Sequence, residues 1–108
     1  MKKTNVLKDN HLFDKVINNG KKVSNSMYSL FYIDEPGLET FQVGISVGKK
    51  TGNAPFRNRQ KRVVRACVDE LHNDIKPKQY VLISRKNACT TPYHDQLKSL
   101  RQLFERVK

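Results

Sequence analysis

Residues 49–71 read KKTGNAPFRNRQKRVVRACVDEL, and they predict the helix around which the rest of the chain is organised. Gly52 and Asn53 are turn residues, while Pro55 suits the first turn of a helix and keeps the residue before it out of the helical region. We therefore predict that a helix begins near Pro55. The next proline along the chain predicts that this helix ends at about Ile75.

The two faces of this helix differ in chemistry. Successive side chains on a helix are rotated by about 100°, so residues three and four apart share a face. The arc that we expect to pack against a core is apolar and contains Val63, Val64, Cys67, Val68 and Leu71. The opposite arc is polar and basic and contains Asn58, Lys61, Arg62 and Arg65.

All of the charged residues between Phe41 and Val68 are positive. Between Phe41 and Val68 there is no Asp or Glu, but there are seven cations: Lys49, Lys50, Arg57, Arg59, Lys61, Arg62 and Arg65. Arg57 and Arg59 fall in the first turn, where an exposed cation opposes the helix dipole by about 0.3–1 kcal/mol. Free backbone N–H groups at the same place favour an anion. Cations kept there against the dipole indicate a phosphate site rather than a solvated basic face.

The composition bounds the class of protein. A chain of 108 residues forms one domain, and its net charge of +11 is typical of proteins that bind nucleic acid. No apolar run approaches the roughly 18–20 residues that span a bilayer, and no apolar signal segment follows the basic N-terminus. We therefore expect a single RNA-binding domain over residues 1–108, located in the cytoplasm, with neither a membrane nor a small-molecule substrate as its partner.

The hydrophobic patterns predict an α+β fold, an α/β sandwich of a four-stranded sheet and three helices in the order αβββαβα. Residues 1–8 form a basic leader, with Lys2, Lys3 and Lys8, that we expect to be loose in the free protein. The predicted elements after it are a helix from Asp9 or Asn10 to Gly20, strands over 22–24, 27–33 and 41–47, the central helix, a strand over 80–83, a loop over 85–91 and a helix that starts at Thr91 and Pro92.

Two of these elements have a clear apolar side. In the strand over 41–47, apolar and polar residues alternate with period two, so one face is predicted to be buried. Its other face carries small and polar residues and is expected to form the floor of a groove. The last helix carries its apolar residues along one side: Tyr93, Leu97, Leu100, Phe104 and Val107.

No catalytic residues are predicted. The ten acidic residues are scattered, and none is paired with a His or a nucleophile at a recognised spacing. Asp69, Glu70, His72 and Asp74 cluster near the end of the central helix but spread around it, which indicates a solvated helix end, with a weak metal site as the alternative. Cys67 lies on the apolar arc and is expected to be a buried thiol without a metal or disulfide partner.

The stretch KKTGNAPFRNRQKRVVR resembles the signature of the bacterial ribonuclease P protein subunit, in which a KK-x-GNA turn leads into an RNR-x-KR-x-x-R helix. The resemblance covers the whole chain, including the strand GISVGKK and the closing helix. The chain departs from the family pattern at Gly48, where Ser is usual, and at Gln60, where an apolar residue is usual.

The resemblance implies a basic partner of a catalytic RNA that removes the 5′ leader from precursor tRNA, with Mg²⁺ held mainly by the RNA and substrate. It implies RNA-binding residues Lys49, Lys50, Arg57, Asn58, Arg59, Lys61, Arg62 and Arg65, and a separate cleft for the single-stranded leader at Phe13, Ile17 and Phe31. Ile17 replaces an aromatic residue that is common in the family, which leaves apolar contact in place of stacking.

The resemblance also implies a left-handed βαβ crossover through the central helix, although about 98% of such connections are right-handed. Composition alone fits a second function equally well, that of a structural RNA-binding protein such as a ribosomal component. A nuclease that acts without an RNA subunit is a third and more distant alternative. Only the motif distinguishes the first function from the second.

Overall fold

The computed structural model describes residues 5–7 and 9–108, and in it the central helix, α2, spans Ala54–Glu70. Asn53 caps it, because the Asn53 side chain accepts a hydrogen bond from the backbone N–H of Phe56 at 3.0 Å. The predicted start near Pro55 is confirmed. The predicted end near Ile75 is wrong, because the chain tightens after Glu70 into a 3₁₀ turn at His72–Asp74, which carries Ile75 back into the core.

The predicted element order is confirmed. Helices α1 and α3 span Asn10–Asn19 and Tyr93–Glu105, and the strands β1 to β4 span Lys21–Ser24, Tyr28–Ile33, Gln42–Val47 and Gln79–Ser84. Further 3₁₀ turns lie at Lys49–Thr51, just before α2, and at Lys86–Thr90, where the sequence predicted a loop.

Local side-chain hydrogen bonds explain where several elements begin. Asp9 caps α1 by accepting from the N–H of His11 at 2.8 Å, as predicted. The β1–β2 turn is held by Asn25, whose side-chain oxygen accepts from the N–H groups of Met27 and Tyr28, each at 2.9 Å. Such bonds satisfy backbone donors that the helix or strand leaves unpaired.

The predicted cap of α3 is wrong. The hydroxyl of Thr91 donates to the carbonyl oxygen of Asn87 at 2.8 Å and therefore belongs to the preceding 3₁₀ turn. Pro92 occupies the N-cap position of α3 without a side-chain hydrogen bond, since proline has no side-chain acceptor.

The four strands form one mixed sheet in the order β1-β2-β4-β3. The β1–β2 and β2–β4 pairs are antiparallel, whereas β3 and β4 are parallel and are connected through α2. A parallel pair needs a crossover connection, and α2 supplies it. The left-handed sense of this crossover stays a prediction from the resemblance.

Helices cover both faces of the sheet. The larger core lies between the sheet and α2 and α3, and its fully buried side chains include Tyr28, Leu30, Val64, Leu82 and Leu100. The smaller core lies under α1 and is centred on Leu7, Val16 and Val81. This arrangement leaves α1 alone on one face of the sheet, which is the face that contains the cleft described below.

Part of the basic leader lies along the edge of the sheet. The N–H of Leu7 donates to the carbonyl oxygen of Val43 at 3.0 Å, and the side-chain amide of Asn5 donates to the carbonyl oxygen of Phe41 at 2.7 Å. Residues 5–7 are therefore anchored to β3. Lys2, Lys3 and Lys8 lie outside the described residues, so the expected looseness of the leader stays a prediction there.

Across residues 5–7 and 9–108, no helix has the length and apolar character needed to cross a bilayer.

Replacing Asn53 with Ala should lower the free energy of unfolding by about 0.5–2 kcal/mol, because the Phe56 N–H loses its acceptor at the start of α2. Urea unfolding followed by circular dichroism measures the change. Asn58→Ala is the matched control, an exposed Asn inside the same helix. It should leave stability unchanged or slightly raised, since Ala has the higher helix propensity. Equal losses in the two variants would contradict the capping role.

Candidate nucleic-acid interface

The eight predicted RNA-binding residues lie together on α2 and on the 3₁₀ turn before it. Most of their side chains are exposed, Arg57 and Lys61 being half-buried. We call this set the basic surface: Lys49, Lys50, Arg57, Asn58, Arg59, Lys61, Arg62 and Arg65. The ion pairs formed between described residues, Lys15–Glu35 and Lys78–Asp34, lie elsewhere. Neither of these two ion pairs involves a cation of the basic surface.

Arg57 differs from the other members of the basic surface. Its side chain is half-buried, and its Nε is buried without a hydrogen-bond partner among the described residues. A buried donor left unpaired costs about 1–3 kcal/mol. At the start of α2, Asn53 accepts from the Phe56 N–H, Pro55 has no N–H, and the Arg57 N–H donates to the Asn53 carbonyl. The expected free backbone donors are therefore mostly absent there, and a phosphate would be bound mainly by side chains.

Strand register builds the second part of the interface. On the face of the sheet that carries α1, one row of paired residues crosses all four strands through Lys22, Phe31, Val81 and Gly44. A parallel row crosses them through Ser24, Ser29, Ile83 and Ser46. The second row is small and mostly polar, as the pattern of β3 predicted for that strand.

Helix α1 covers the first row and borders the second. The ring of Phe13 lies directly on Gly44, where a Cβ atom would overlap it, and Val81 is fully buried beneath the helix. Ile17 lies on the outer side of α1 and is 37% exposed. Phe13 and Ile17 of α1 and Phe31 of β2 therefore share the face of the sheet that carries α1, next to the second row. We call this region the cleft, after the site that the resemblance implies.

Two cations next to the cleft, Lys22 and Arg85, are not among the predicted RNA-binding residues. The Nζ of Lys22 lies 5.5 Å from the ring centroid of Phe31, within the range of a cation–π contact. The guanidinium of Arg85 donates to the hydroxyl of Ser29 at 2.9 Å. Lys22 is placed by its register against Phe31, and Arg85 by its position directly after β4. Neither residue lies in a local charge pattern that would single it out.

The basic surface and the cleft meet at β3. Arg65 of α2 and Phe13 of α1 line one groove of about 260 Å³, together with Val6, Gly44 and Ile45. Arg65, the last residue of the basic surface, and Phe13, at the edge of the cleft, therefore lie on the same groove. The family resemblance implied two separate sites, and nothing in the sequence indicated that they share a groove.

The acidic cluster at the end of α2 lies on the surface of the protein. Within the described part of the chain, no group of three or more His, Cys, Asp or Glu side chains could hold a metal ion. Asp69, Glu70, His72 and Asp74 are all exposed, and the Nδ1 of His72 lies 2.6 Å from the carbonyl oxygen of Asp69. This agrees with the predicted solvated helix end.

The two cysteines are free thiols. Cys67 is fully buried on the apolar face of α2, as predicted, and burial raises the pKa of its thiol to about 11. Cys89 is half-buried after β4, and burial raises the pKa of its thiol as well.

A basic helix packed beside a mixed sheet, with aromatic side chains on the sheet's other face, is typical of an α+β protein that binds RNA. The family model described as Ribonuclease P matches residues 1–108. The chain is 42% identical to the ribonuclease P protein component of Bacillus velezensis over 99% of this chain and 92% of that protein. It is 38% identical to that of Bacillus pumilus over 98% of this chain and 90% of that protein.

A solved structure of the Staphylococcus aureus RNase P protein has a similar fold. Its TM-score is 0.86 at 28% identity, covering 94% of this chain and 93% of that one. The chain belongs to the ribonuclease P protein family, and it is a subunit of that ribonucleoprotein endonuclease in tRNA 5′ processing. The family match decides between the functions that composition left open.

Alkylation should distinguish the two thiols. At mildly alkaline pH the folded protein should take up one iodoacetamide label, at Cys89, because Cys67 is fully buried and its raised pKa lowers its thiolate fraction by about two orders of magnitude. The protein unfolded in urea should take up two. Mass spectrometry of tryptic peptides gives the rate at each site. Labelling of Cys67 as fast as Cys89 in the folded protein would contradict this packing.

Proposed function

We propose that the basic surface binds the catalytic RNA of ribonuclease P and that the cleft binds the single-stranded 5′ leader of precursor tRNA. The observation that carries the proposal is the groove that Arg65 and Phe13 share, since it brings a guanidinium of the basic surface close to an aromatic ring. A protein with this arrangement is suited to hold the catalytic RNA and the leader of its substrate close to each other.

The basic surface suits a folded polyanion. Guanidinium groups donate paired hydrogen bonds to phosphate oxygens, and several of them along one helix match the repeated charge of an RNA backbone. Arg57 adds a guanidinium at the start of the helix, and its Nε has no hydrogen-bond partner among the described residues. Because these contacts read phosphates, they position the RNA without reading its sequence.

The cleft suits an unpaired strand. Bases stack on aromatic rings, and Phe13 and Phe31 present rings along the cleft, while Ile17 offers apolar contact. Lys22 and Arg85 place positive charge close enough to reach the phosphates between stacked bases. Stacking on aromatic rings and contacts with phosphates depend little on base sequence. This fits a leader whose sequence differs between tRNA precursors.

The chemistry is proposed to belong to the RNA subunit. Mg²⁺ activates water and stabilises the leaving oxygen in RNA-catalysed hydrolysis, and we assign it to the RNA and substrate, because the described residues gather no group of ligands for it. The protein positions the leader and neutralises phosphates. The proposed location is the cytoplasm, where the RNA subunit and precursor tRNA are available.

Arg62→Ala or Arg65→Ala should weaken association with the catalytic RNA. Each should also flatten the dependence of log K on log salt concentration by about one unit per lost phosphate contact. Filter binding over a salt series measures both quantities. Lys98→Ala is the matched control, because Lys98 is an exposed cation on α3 outside the basic surface. If the arginine variants and the control behave alike, the basic surface is not the RNA-binding site.

The protein alone should leave precursor tRNA intact, yet raise cleavage by the catalytic RNA at low Mg²⁺. Trimming the leader to one or two nucleotides should remove most of this gain, because nothing then reaches the cleft. Phe31→Ala should reduce the gain for full-length leaders and leave trimmed substrates unaffected. Single-turnover cleavage rates measure these effects. Equal responses of full-length and trimmed leaders to the wild-type protein would show that the cleft does not bind the leader.

A further inference from the structure

Two large hydrophobic side chains are exposed among the described residues, Ile17 at 37% and Tyr93 at 40%. Ile17 belongs to the cleft. Tyr93 begins α3, on the opposite face of the sheet, and the function proposed above does not use it. The sequence placed Tyr93 with the apolar side of α3, but the other residues of that side are buried and Tyr93 is not.

Tyr93 borders a pocket of about 200 Å³ between α2, α3 and the 3₁₀ turn after β4. Its walls are mostly apolar, and its lining residues are Phe56, Arg59, Gln60, Val63, Cys89, Thr91, Pro92, Tyr93 and Gln96. The ring of Phe56 lies against Gly52, where a Cβ atom would collide with it. The glycine of the turn before α2 therefore makes room for one aromatic wall of the pocket, and Tyr93 supplies another.

A buried hydrogen-bond network holds the inner side of the pocket. The side-chain amide of Gln60 donates to the hydroxyl of Ser84 at 3.1 Å and to the side-chain oxygen of Gln96 at 2.9 Å. Gln96 donates to the carbonyl oxygen of Thr91 at 2.8 Å and accepts from the hydroxyl of Tyr28. Gln60 and Gln96 are both at least 96% buried. These bonds join both helices to the sheet and preorganise the pocket.

The pocket is continuous with the basic surface. Arg59 lines it and is also one of the exposed cations of α2. The Tyr93 hydroxyl, with an unperturbed pKa of about 10 that is raised further here, is a neutral phenol at neutral pH and does not repel a phosphate. An aromatic wall beside a guanidinium is suited to a base and the phosphate attached to it.

We infer that this pocket receives one unstacked base of the catalytic RNA, with Tyr93 and Phe56 contacting the base and Arg59 the adjoining phosphate. The inference rests on the proposed RNA-binding role of α2. The source is the catalytic RNA rather than the leader, because the cleft lies on the α1 face of the sheet and the pocket lies on the α2 and α3 face. The pocket thus adds a base contact to a surface that otherwise contacts phosphates.

Tyr93→Ala should lower the affinity of the protein for the catalytic RNA by about 5- to 150-fold, the range expected for one lost stacking contact. The salt dependence should stay that of the wild type, because no phosphate contact is removed. Tyr93→Phe should retain wild-type affinity, and so should His94→Ala, a variant of the exposed neighbour on α3. Thermal unfolding of each variant checks that the fold is retained.

The wild-type protein provides a second readout, which no folding defect can affect. Cys89 lines the pocket and Cys67 is fully buried, so iodoacetamide labelling of the folded protein reports on the pocket. Saturating catalytic RNA should slow the labelling of Cys89 at least severalfold, whereas precursor tRNA alone should not. Protection by precursor tRNA alone would overturn the assignment of the base to the catalytic RNA.

The two proposals fail in distinguishable ways. If Arg62→Ala weakens RNA binding while Tyr93→Ala binds like the wild type and Cys89 stays unprotected, the base pocket is wrong and the basic surface stands. If Arg62→Ala also binds like the wild type, the RNA-binding role of α2 fails, and the inference fails with it. A flattened salt dependence in Tyr93→Ala would overturn the assignment of Tyr93 to a base.

Discussion

Burial of one face of α2 against the sheet is the interaction on which the rest of the structure depends. Val64, Cys67 and Val68 are fully buried there, and their removal from water stabilises the fold by about 25 cal/mol for each Å² of apolar surface. Because the helix is packed on that side, its cations must face outward. The same helix connects the parallel strands β3 and β4, so the packing that forms the core also positions the basic surface beside the sheet.

The sheet connects this surface to the cleft. Strand pairing aligns a row of small, mostly polar residues across the four strands, next to the row over which α1 packs. Gly44 allows Phe13 to lie against the sheet, and the groove shared by Phe13 and Arg65 lies at the same strand. The proposed sites for the catalytic RNA and the leader are thus adjacent because both are built on β3.

Prediction from sequence succeeded where the signal was local. The start of α2 followed from a turn and a proline, and the burial of Val64 and Cys67 followed from helical spacing. It failed at the end of α2 and at the cap of α3, where tertiary contacts decide. Ile75 is drawn into the core by a 3₁₀ turn, and Thr91 bonds to the preceding turn instead of capping the helix.

The sequence by itself determined the central helix, its basic face and the protein family. Residue spacing and charge can be read along the chain without knowledge of the fold. Only the tertiary structure decided that Lys22 lies over Phe31, that Arg65 and Phe13 line one groove, and that Gln60 is buried in a network beside an exposed Tyr93. Each of these contacts joins residues from different elements. Strand register and helix packing bring these residues together. Neither the register nor the packing can be read from residue spacing along the chain.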